Sequence, residues 1–476
     1  MLLVKSLYPL SASFLRPLLC FSAGIAVATV GSVAIHTAAA EDRSTAWVTE
    51  WAGVLARVER EYVDPVERAK LVRGAIKGMV EELDPHSSYL TSEELHQLFD
   101  DTEGKFAGVG IEVDVRSDSI LVIAPLEGSP AEKGGIKSGD EILAVNHEKA
   151  DPASFEKTLK KIRGPVGTHV IVTVRRVGID KPMNLDLVRE EVRVSSVEWA
   201  LFKGQVGYLR IKQFQERTYE EFLRAAGDLR TRGATSLVLD MRYNPGGLVN
   251  SASAIADEFV DSGVLYTTRR RGLVETTETA TPAGVFVSLP VAILVNEWSA
   301  SAAELVAGAL QDHKRARVFG SKTFGKGSVQ TIVELPSGAG LKLTTARYFT
   351  PSGHSLQAEG ITPDVVFEPD SKYVFQERHL GGHLPKDPEA RSSEVIAFDG
   401  SLLGVDAGAP RRIRKVRDLP SDPGTSEDRA LAGAYGFLVS SATTRSASFT
   451  HESHEALPLR APTTHTREGS GDVAAR

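Results

Sequence analysis

Cysteine is almost absent. The single one, Cys20, in a chain of 476 residues excludes an intrachain disulfide and any metal site built on cysteine pairs. Histidine is sparse as well, with 12 residues, and no His-x-x-x-His pair falls inside a helical pattern. His379 and His383 have that spacing, but they stand in the Gly- and Pro-containing stretch HLGGHLPK, where no zinc-binding helix is expected. Positive charge is in deficit: 55 Lys and Arg against 62 Asp and Glu leave a net charge of −7. The basic balance that accompanies nucleic-acid binding is therefore missing, and no nucleic-acid partner is expected. The rest is an ordinary globular composition, 42% hydrophobic and 25% charged. It excludes a wholly disordered chain, a collagen-like fibre and a polytopic membrane protein. The length fits about two to four domains with at least one large core.

The first 40 residues carry an address. Lys5 and Arg16 are the only Lys, Arg, Asp or Glu before Glu41, and Leu18 to Ala40 is apolar and small, ending Ala38-Ala39-Ala40. That order predicts a secretory signal cleaved after Ala40. The apolar run is also long enough to remain as an uncleaved anchor through residues 18–40. Cys20 follows Leu19, where a lipoprotein signal needs a small residue, so lipidation is not expected. The expected destination is the periplasm or cell envelope.

Texture then changes along the chain. Val48 to Leu83 reads as two amphipathic helices, the second restarted by Asp64 as N-cap, Pro65 at the first helical position and Glu67 closing a capping box. Thr91 and Glu94 start a third helix. Residues 106–176 alternate as short strands (GIEVDV, SILVIAP, HVIVTVRR) with helices at Ser129–Glu132 and Phe155–Ile162. From Val206 to Pro363 compact apolar strands (GYLRI, SLVLDMR, PVAILVN) alternate with helices at Tyr219–Thr231, Val249–Phe259 and Ala302–Gln311, which implies a central sheet covered by helices. After about residue 370 the chain turns polar. Only Asp428–Ser440 looks helical, and the last 35 residues are expected to be disordered.

Several familiar catalytic patterns fail. Gly320 to Lys326 fits most of a P-loop, but Gly327 stands where Ser or Thr must hold magnesium, and SVQTIVEL after it reads as a strand. Ser154-Phe-Glu-Lys157 lacks the companion elements of penicillin-binding enzymes, and no Gly-x-Ser-x-Gly elbow occurs. Three segments remain. In LDMRYNPGGL (Leu239–Leu248) a buried strand enters a glycine turn and a helix, a geometry suited to an oxyanion site or to a plain corner. In NEWSASAAEL (Asn296–Leu305) small residues crowd Ser301 at a helix start, where the dipole favours an oxyanion; helix capping by Ser299 or Ser301 with Glu304 is the bland alternative. In TFGKGSVQ (Thr323–Gln330) Lys326 stands between glycines and apolar strands. If buried, its amine loses its proton easily enough to serve as a base for serine, with Gln330 orienting it; otherwise it is a surface turn lysine. His313 and His354 are the histidines left for a competing Ser–His–Asp arrangement, in a charged helix end and a turn.

Taken together these segments resemble the C-terminal processing peptidases, or tail-specific proteases, over about residues 45–370. The resemblance rests on LDPHSSYL (Leu83–Leu90), FAGVGIEV (Phe106–Val113), GSPAEKGGIKSGDEILAVN (Gly128–Asn146), DMRYNPGG, SASAAE, TFGKGSVQT, LTTARYFTPSGHSLQ and GITPDV. It implies a multidomain α/β (α+β) chain: N-terminal helices over 41–103, an inserted β-rich PDZ domain over 104–178, a crotonase-like α/β serine/lysine protease core over 179–370, and a largely disordered extension with one helix over 371–476. It further implies Ser301 as nucleophile, Lys326, 25 residues on, as general base, Gln330 as the residue holding that lysine, and the N–H groups of Gly247 and Ala302 as oxyanion donors. No metal or organic cofactor is implied. Ala303 and Trp298 depart from the family, which more often has serine and glycine there; Trp298 would shape the substrate groove. In the PDZ domain Gly108, Val109, Gly110 and Ile111 resemble the loop that captures a free C-terminal carboxylate. Arg163-Gly164-Pro165 is expected to contact the catalytic domain. The partners implied are proteins with free, apolar C-termini, an adaptor, and further copies of the chain in a dimer or larger oligomer. The alternatives are a non-catalytic or conditionally activated PDZ scaffold, against which intact Ser301, Lys326 and Gln330 argue, and a crotonase-like hydratase, which an exported chain would not supply with acyl-CoA.

Overall fold

The computed structural model describes residues 45–116, 118–369, 374–388, 390, 398–399 and 416–448. The export segment expected at 1–40 and the tail from 449 lie outside the described residues. Among the described residues no helix is long and apolar enough to cross a membrane. The chain divides into two compact units at Val80.

The first unit is helical. Helix α1 covers 45–61, and α2 covers Arg68–Glu81. The expected start at Pro65 is not seen. The carbonyl of Glu67 accepts the N–H groups of Lys70 and Leu71 at 3.0 and 3.2 Å, so the chain enters the helix at Glu67 and residues 65–67 stay outside it.

The second unit opens with β1 (Ser88–Leu90) and α3 (Ser92–Glu103). Thr91 and Glu94 form the expected capping box, and Gly104 in the left-handed region ends the helix. Next comes a β-rich module: β2 (Lys105–Gly108), β3 (Ile111–Val115), β4 (Ile120–Pro125), α4 (Pro130–Lys133), β5 (Glu141–Val145), β6 (Glu148–Lys149), α5 (Phe155–Ile162), β7 (His169–Arg175), β8 (Met183–Val188) and β9 (Glu190–Arg193). Its sheet runs β3-β4-β5-β7-β8, with β6 on β5. Alternate residues of β7, Val170, Val172 and Val174, enter a core with Ile120, Val122, Ile142, Ala131 and Ile162. This sheet continues past residue 178, where the boundary of the module was expected. β8 pairs with β7 from His169↔Val188 to Val174↔Met183, because burying Leu187 completes the core. β2 and β9 pair as a two-stranded ribbon at the entry and exit of the module.

The α/β part holds β10 (Val197–Phe202), β11 (Val206–Ile211), α6 (Thr218–Thr231), β12 (Ser236–Asp240), α7 (Val249–Asp257), β13 (Val264–Arg270), β14 (Leu273–Thr279), β15 (Val291–Val295), α8 (Ala302–Asp312), β16 (Ala316–Gly320), β17 (Ser328–Glu334), β18 (Gly340–Phe349), β19 (Val365–Val366) and β20 (Phe398–Asp399). Its main sheet has the order β10-β11-β12-β15-β16-β19-β20, parallel from β11 onward. Both faces are covered, which is why β12 and β15 read as unbroken apolar runs. Leu237, Leu239, Ile293 and Val295 face a core with Phe222, Ile255, Leu305 and Leu310. Val238, Ala292, Leu294 and Phe319 face a second core with Leu431, Ala434 and Leu438. The last three belong to α9 (Arg429–Ser448).

Among the described residues of the C-terminal extension, α9 covers one face of the sheet and continues to Ser448, into the stretch expected to be disordered. And β1, from the stretch expected to belong with the N-terminal helices, pairs with β18 in a second, antiparallel sheet of β1, β13, β14, β17 and β18. That pairing brings the LDPHSSYL segment to the α/β part.

Candidate active site

Parallel sheets present loops at the carboxyl ends of their strands, where ligands usually bind. Three such loops follow the adjacent strands β12, β15 and β16. They carry the DMRYNPGG turn, the SASAAE helix start and the TFGKG loop.

The first loop is built from its own polar side chains. Asn244 Oδ1 accepts the N–H of Gly246 at 2.8 Å, its Nδ2 donates to the carbonyl of Ile211 at 3.0 Å, and its carbonyl accepts the N–H of Ala300 at 2.9 Å. Turn and helix start are thereby joined. The glycines are required by closeness: a Cβ on Gly246, at φ 98°, would lie 2.8 Å from Ser301 Cβ and 3.0 Å from the Ala302 nitrogen, and one on Gly247 would lie 2.0 Å from the Phe214 carbonyl oxygen. The N–H groups of Gly247 and Ala302 have no acceptor among the described residues.

Ser301 sits at the head of α8 with φ 55° and ψ −118°, a conformation that L-residues rarely adopt. Such a backbone costs about 1–3 kcal/mol and tends to persist at functional sites. Ser299 is spent structurally: its hydroxyl donates to the Met241 carbonyl at 2.8 Å and accepts the N–H of Asn296 at 2.9 Å, fully buried. His313 bonds the Val264 carbonyl through Nε2, and His354 lies against Ser352 through Nδ1. Neither histidine hydrogen-bonds Ser301.

Glu304 holds the centre. Its fully buried carboxylate takes four donors: Oε2 accepts the N–H groups of Ser301 (2.8 Å) and Lys326 (2.9 Å), while Oε1 accepts Thr323 Oγ1 (2.5 Å) and the N–H of Gly325 (2.7 Å). Burial nevertheless pushes this carboxyl up to about 7, against those donors. In sequence Glu304 looked only like a capping partner. Gly325 and Gly327 let the lysine loop approach the 356–360 segment closely; a Cβ on Gly327 would lie 2.3 Å from the Gln357 nitrogen.

The Lys326 amine is shifted in the direction a base requires. Burial, helped by the positive charge of Lys342, lowers it to about 8, against the pull of Glu377, Glu304 and Asp84. Gln330 Nε2 donates to Ser328 Oγ at 2.9 Å and Thr344 Oγ1 at 3.3 Å. Thr344 is tied in turn to Asp84 Oδ1 and Ser87 Oγ. Trp298, 39% exposed, stands three residues before Ser301.

The module at 105–193 carries the other expected site. The carbonyl of Val109 accepts the N–H of Ala131, and that of Gly110 accepts the N–H of Leu126 and the Ser129 hydroxyl. The N–H groups of Val109 and Gly110 have no acceptor among the described residues. Ile111 begins β3, which is an edge strand of its sheet. Arg163, at the end of α5, lies over the Phe106 ring at 5.4 Å, and the N–H of Gly164 donates to Ala107 at 3.4 Å; both partners are in β2.

The family model described as "Peptidase family S41" matches residues 205–367, that of a PDZ domain 121–176, and that of the "Activating protease CtpB N-terminal domain" 33–94. The chain is 39% identical to a carboxy-terminal-processing protease of Bartonella bacilliformis over 72% of its own length and 82% of that protein. It is 39% identical to a "Probable CtpA-like serine protease" of Staphylococcus epidermidis over 65% of its length, spanning 63% of that relative. The solved photosystem II D1 C-terminal processing protease aligns at 30% identity with a TM-score of 0.42, covering 66% of this chain and 86% of that one.

Proposed function

Since the chain belongs to the carboxy-terminal-processing serine peptidases of family S41 and carries a PDZ domain, we propose that it is an exported endopeptidase in which Ser301 is the nucleophile and Lys326 the general base. One observation carries the reading: a single oxygen of Glu304 holds the backbone of both residues, while burial lowers the lysine amine toward neutrality. Neutral Lys326 takes the Ser301 proton as Oγ attacks the scissile carbonyl. The N–H groups of Gly247 and Ala302, without other acceptors among the described residues, face the developing oxyanion. The C–N bond then breaks, the lysine returns its proton to the leaving amine, and water hydrolyses the acyl-enzyme by the same steps in reverse. Gln330 supports the site through Ser328 and Thr344 rather than through the lysine amine.

Substrates are proteins with free, apolar C-termini. Their tail adds as a strand along the open edge of β3, with its carboxylate at the Val109 and Gly110 N–H groups. The export reading comes from the sequence of residues 1–40, and copies of the chain or an adaptor are the other expected partners.

The test is cleavage of an unstructured protein ending in apolar residues, by the purified protein and by its Ser301→Ala and Lys326→Ala variants. Cleavage by the parent alone supports the dyad. Cleavage that survives Lys326→Ala overturns it. Tail binding without cleavage by any of the three favours the scaffold alternative.

A further inference from the structure

The lysine loop is gripped from two sides. Glu304 forms one, through Thr323, Gly325 and Lys326. The other is formed largely by residues outside the stretch matched to peptidase family S41, which ends at 367. The N–H of Glu377 donates to the Phe324 carbonyl at 3.1 Å, and Gln376 Nε2 donates to the Thr323 carbonyl at 3.0 Å. Gln357 completes the grip: its Nε2 donates to Glu377 Oε1 at 2.9 Å, and its Oε1 accepts the N–H of Gly327 at 3.1 Å.

The Glu377 carboxylate is fully buried. An acid there is costly unless it is paired and hydrogen-bonded. Its second partner comes from the far end of the chain: His86 Nε2 lies 2.8 and 3.0 Å from the two carboxylate oxygens, with the His86 side chain 16% exposed. His86 belongs to the LDPHSSYL segment. Neighbouring Asp84 and Ser87 reach the same region through Thr344. A buried acid that ties two points of one catalytic loop, Phe324 through its own N–H and Gly327 through Gln357, to a histidine 291 residues away does more than fill space.

We infer that Glu377, locked by His86 and Gln357, is a positioning residue that holds the Lys326 loop and keeps a negative charge within electrostatic reach of the lysine amine. The inference rests on Lys326 as the base. The groups acting on that amine are Lys342 from β18, which opposes its proton, and Glu377, Glu304 and Asp84, which favour it. Position and charge are therefore separable. Loss of the Glu377 charge moves the lysine titration to lower pH, and loss of the Lys342 charge moves it to higher pH. Loss of the Gln357 link loosens the loop and leaves the charge in place.

The experiment measures kcat/KM against pH for the full-length protein on an unstructured polypeptide ending in apolar residues. The variants are Glu377→Gln, Gln357→Met, Lys342→Gln and Lys326→Ala. In parallel, the Lys326 amine is titrated by nitrogen-15 NMR in a Ser301→Ala background, which needs no turnover. Glu377→Gln is expected to lower kcat/KM about 10- to 100-fold and to shift the titration to lower pH. Gln357→Met is expected to lower kcat with the midpoint retained, and Lys342→Gln to shift the midpoint upward. An unchanged Lys326 titration in Glu377→Gln, or unchanged kcat in Gln357→Met, overturns the inference. Should Glu377→Gln not fold, unchanged kcat in Gln357→Met still overturns the grip. Cleavage surviving in Lys326→Ala refutes the base assignment instead, while the NMR titration still reports on Glu377.

Discussion

The backbone N–H groups of Ser301 and Lys326 donate to one and the same atom, Oε2 of Glu304, at 2.8 and 2.9 Å. The two residues are 25 apart in sequence and stand on different loops, so this oxygen fixes the distance between the chain segments that carry the proposed nucleophile and base. Glu304→Gln replaces one carboxylate oxygen with an NH2 group and turns the two donors that this oxygen accepts against N–H groups. Leaving buried donors unmatched costs about 1–3 kcal/mol. Cleavage should fall about 100-fold while the variant, read by circular dichroism, stays folded. Wild-type turnover in that variant would remove Glu304 from the site.

The same carboxyl links stability to pH. Its folded value, about 7, lies above the ordinary 4.5, so the folded state holds the proton more tightly than the unfolded chain. Its contribution is complete below about 4.5 and is lost as the pH rises through about 7. The stability difference between the parent and Glu304→Gln, from urea midpoints, should therefore move against the parent across that window. A difference that is flat from pH 4 to 8 would contradict it.

Lys326 titrates in the opposite sense for activity. A base must be neutral, and burial lowers this amine to about 8 from 10.5. kcat/KM should rise with pH to a plateau with a midpoint near 8, and Lys326→Arg, which stays charged, should remove the rising limb along with the activity. A profile with its midpoint near 6.5, the ordinary histidine value, would point to His313 or His354 instead.

What could be read from the sequence was whatever had a local or periodic cause. The apolar runs of β12 and β15, the Thr91–Glu94 capping box and the glycines at 246, 247, 325 and 327 each announce themselves within a few residues. Ser301 and Lys326 stood out because small residues and glycines surround them. The second grip on the lysine loop did not stand out. Glu377 is a lone acid in a polar stretch, and its partner His86 lies 291 residues away, a polar contact with no periodicity to betray it. The pairing of β1 with β18 is hidden for a related reason: strand pairing is decided by the partner, and that partner is distant in the chain. The partners of the Gln330 Nε2, Ser328 and Thr344, were likewise not legible from its position four residues after Lys326.

Helix α9 is part of the catalytic fold. Leu431 and Leu438 are fully buried against β11, β12, β15 and β16. At its head Asp428 caps the helix through the N–H of Leu431 at 3.0 Å and pairs with Arg242 at 2.9 Å. Arg242 also pairs with buried Asp240, directly before the glycine turn. Leu438→Ala should cost about 2–4 kcal/mol in urea unfolding. A change within ~0.5 kcal/mol would mean that the helix leaves the sheet in solution.

Gly110 tests the proposed carboxylate loop separately from the chemistry. Its φ is 73°, and a Cβ there would meet Ser129 Cβ at 2.5 Å. Ser129 both caps α4 and donates to the Gly110 carbonyl, so Gly110→Val must displace either the loop or the helix start that holds it. The N–H groups of Val109 and position 110 would then no longer converge on one anion. Binding of a fluorescent peptide with a free apolar C-terminus should weaken at least tenfold. Cleavage of a substrate whose terminus is blocked, which makes no use of the loop, should change little. Equal losses on free and blocked substrates would instead place Gly110 in the path that couples the PDZ domain to the core, through β2 and its partner β9.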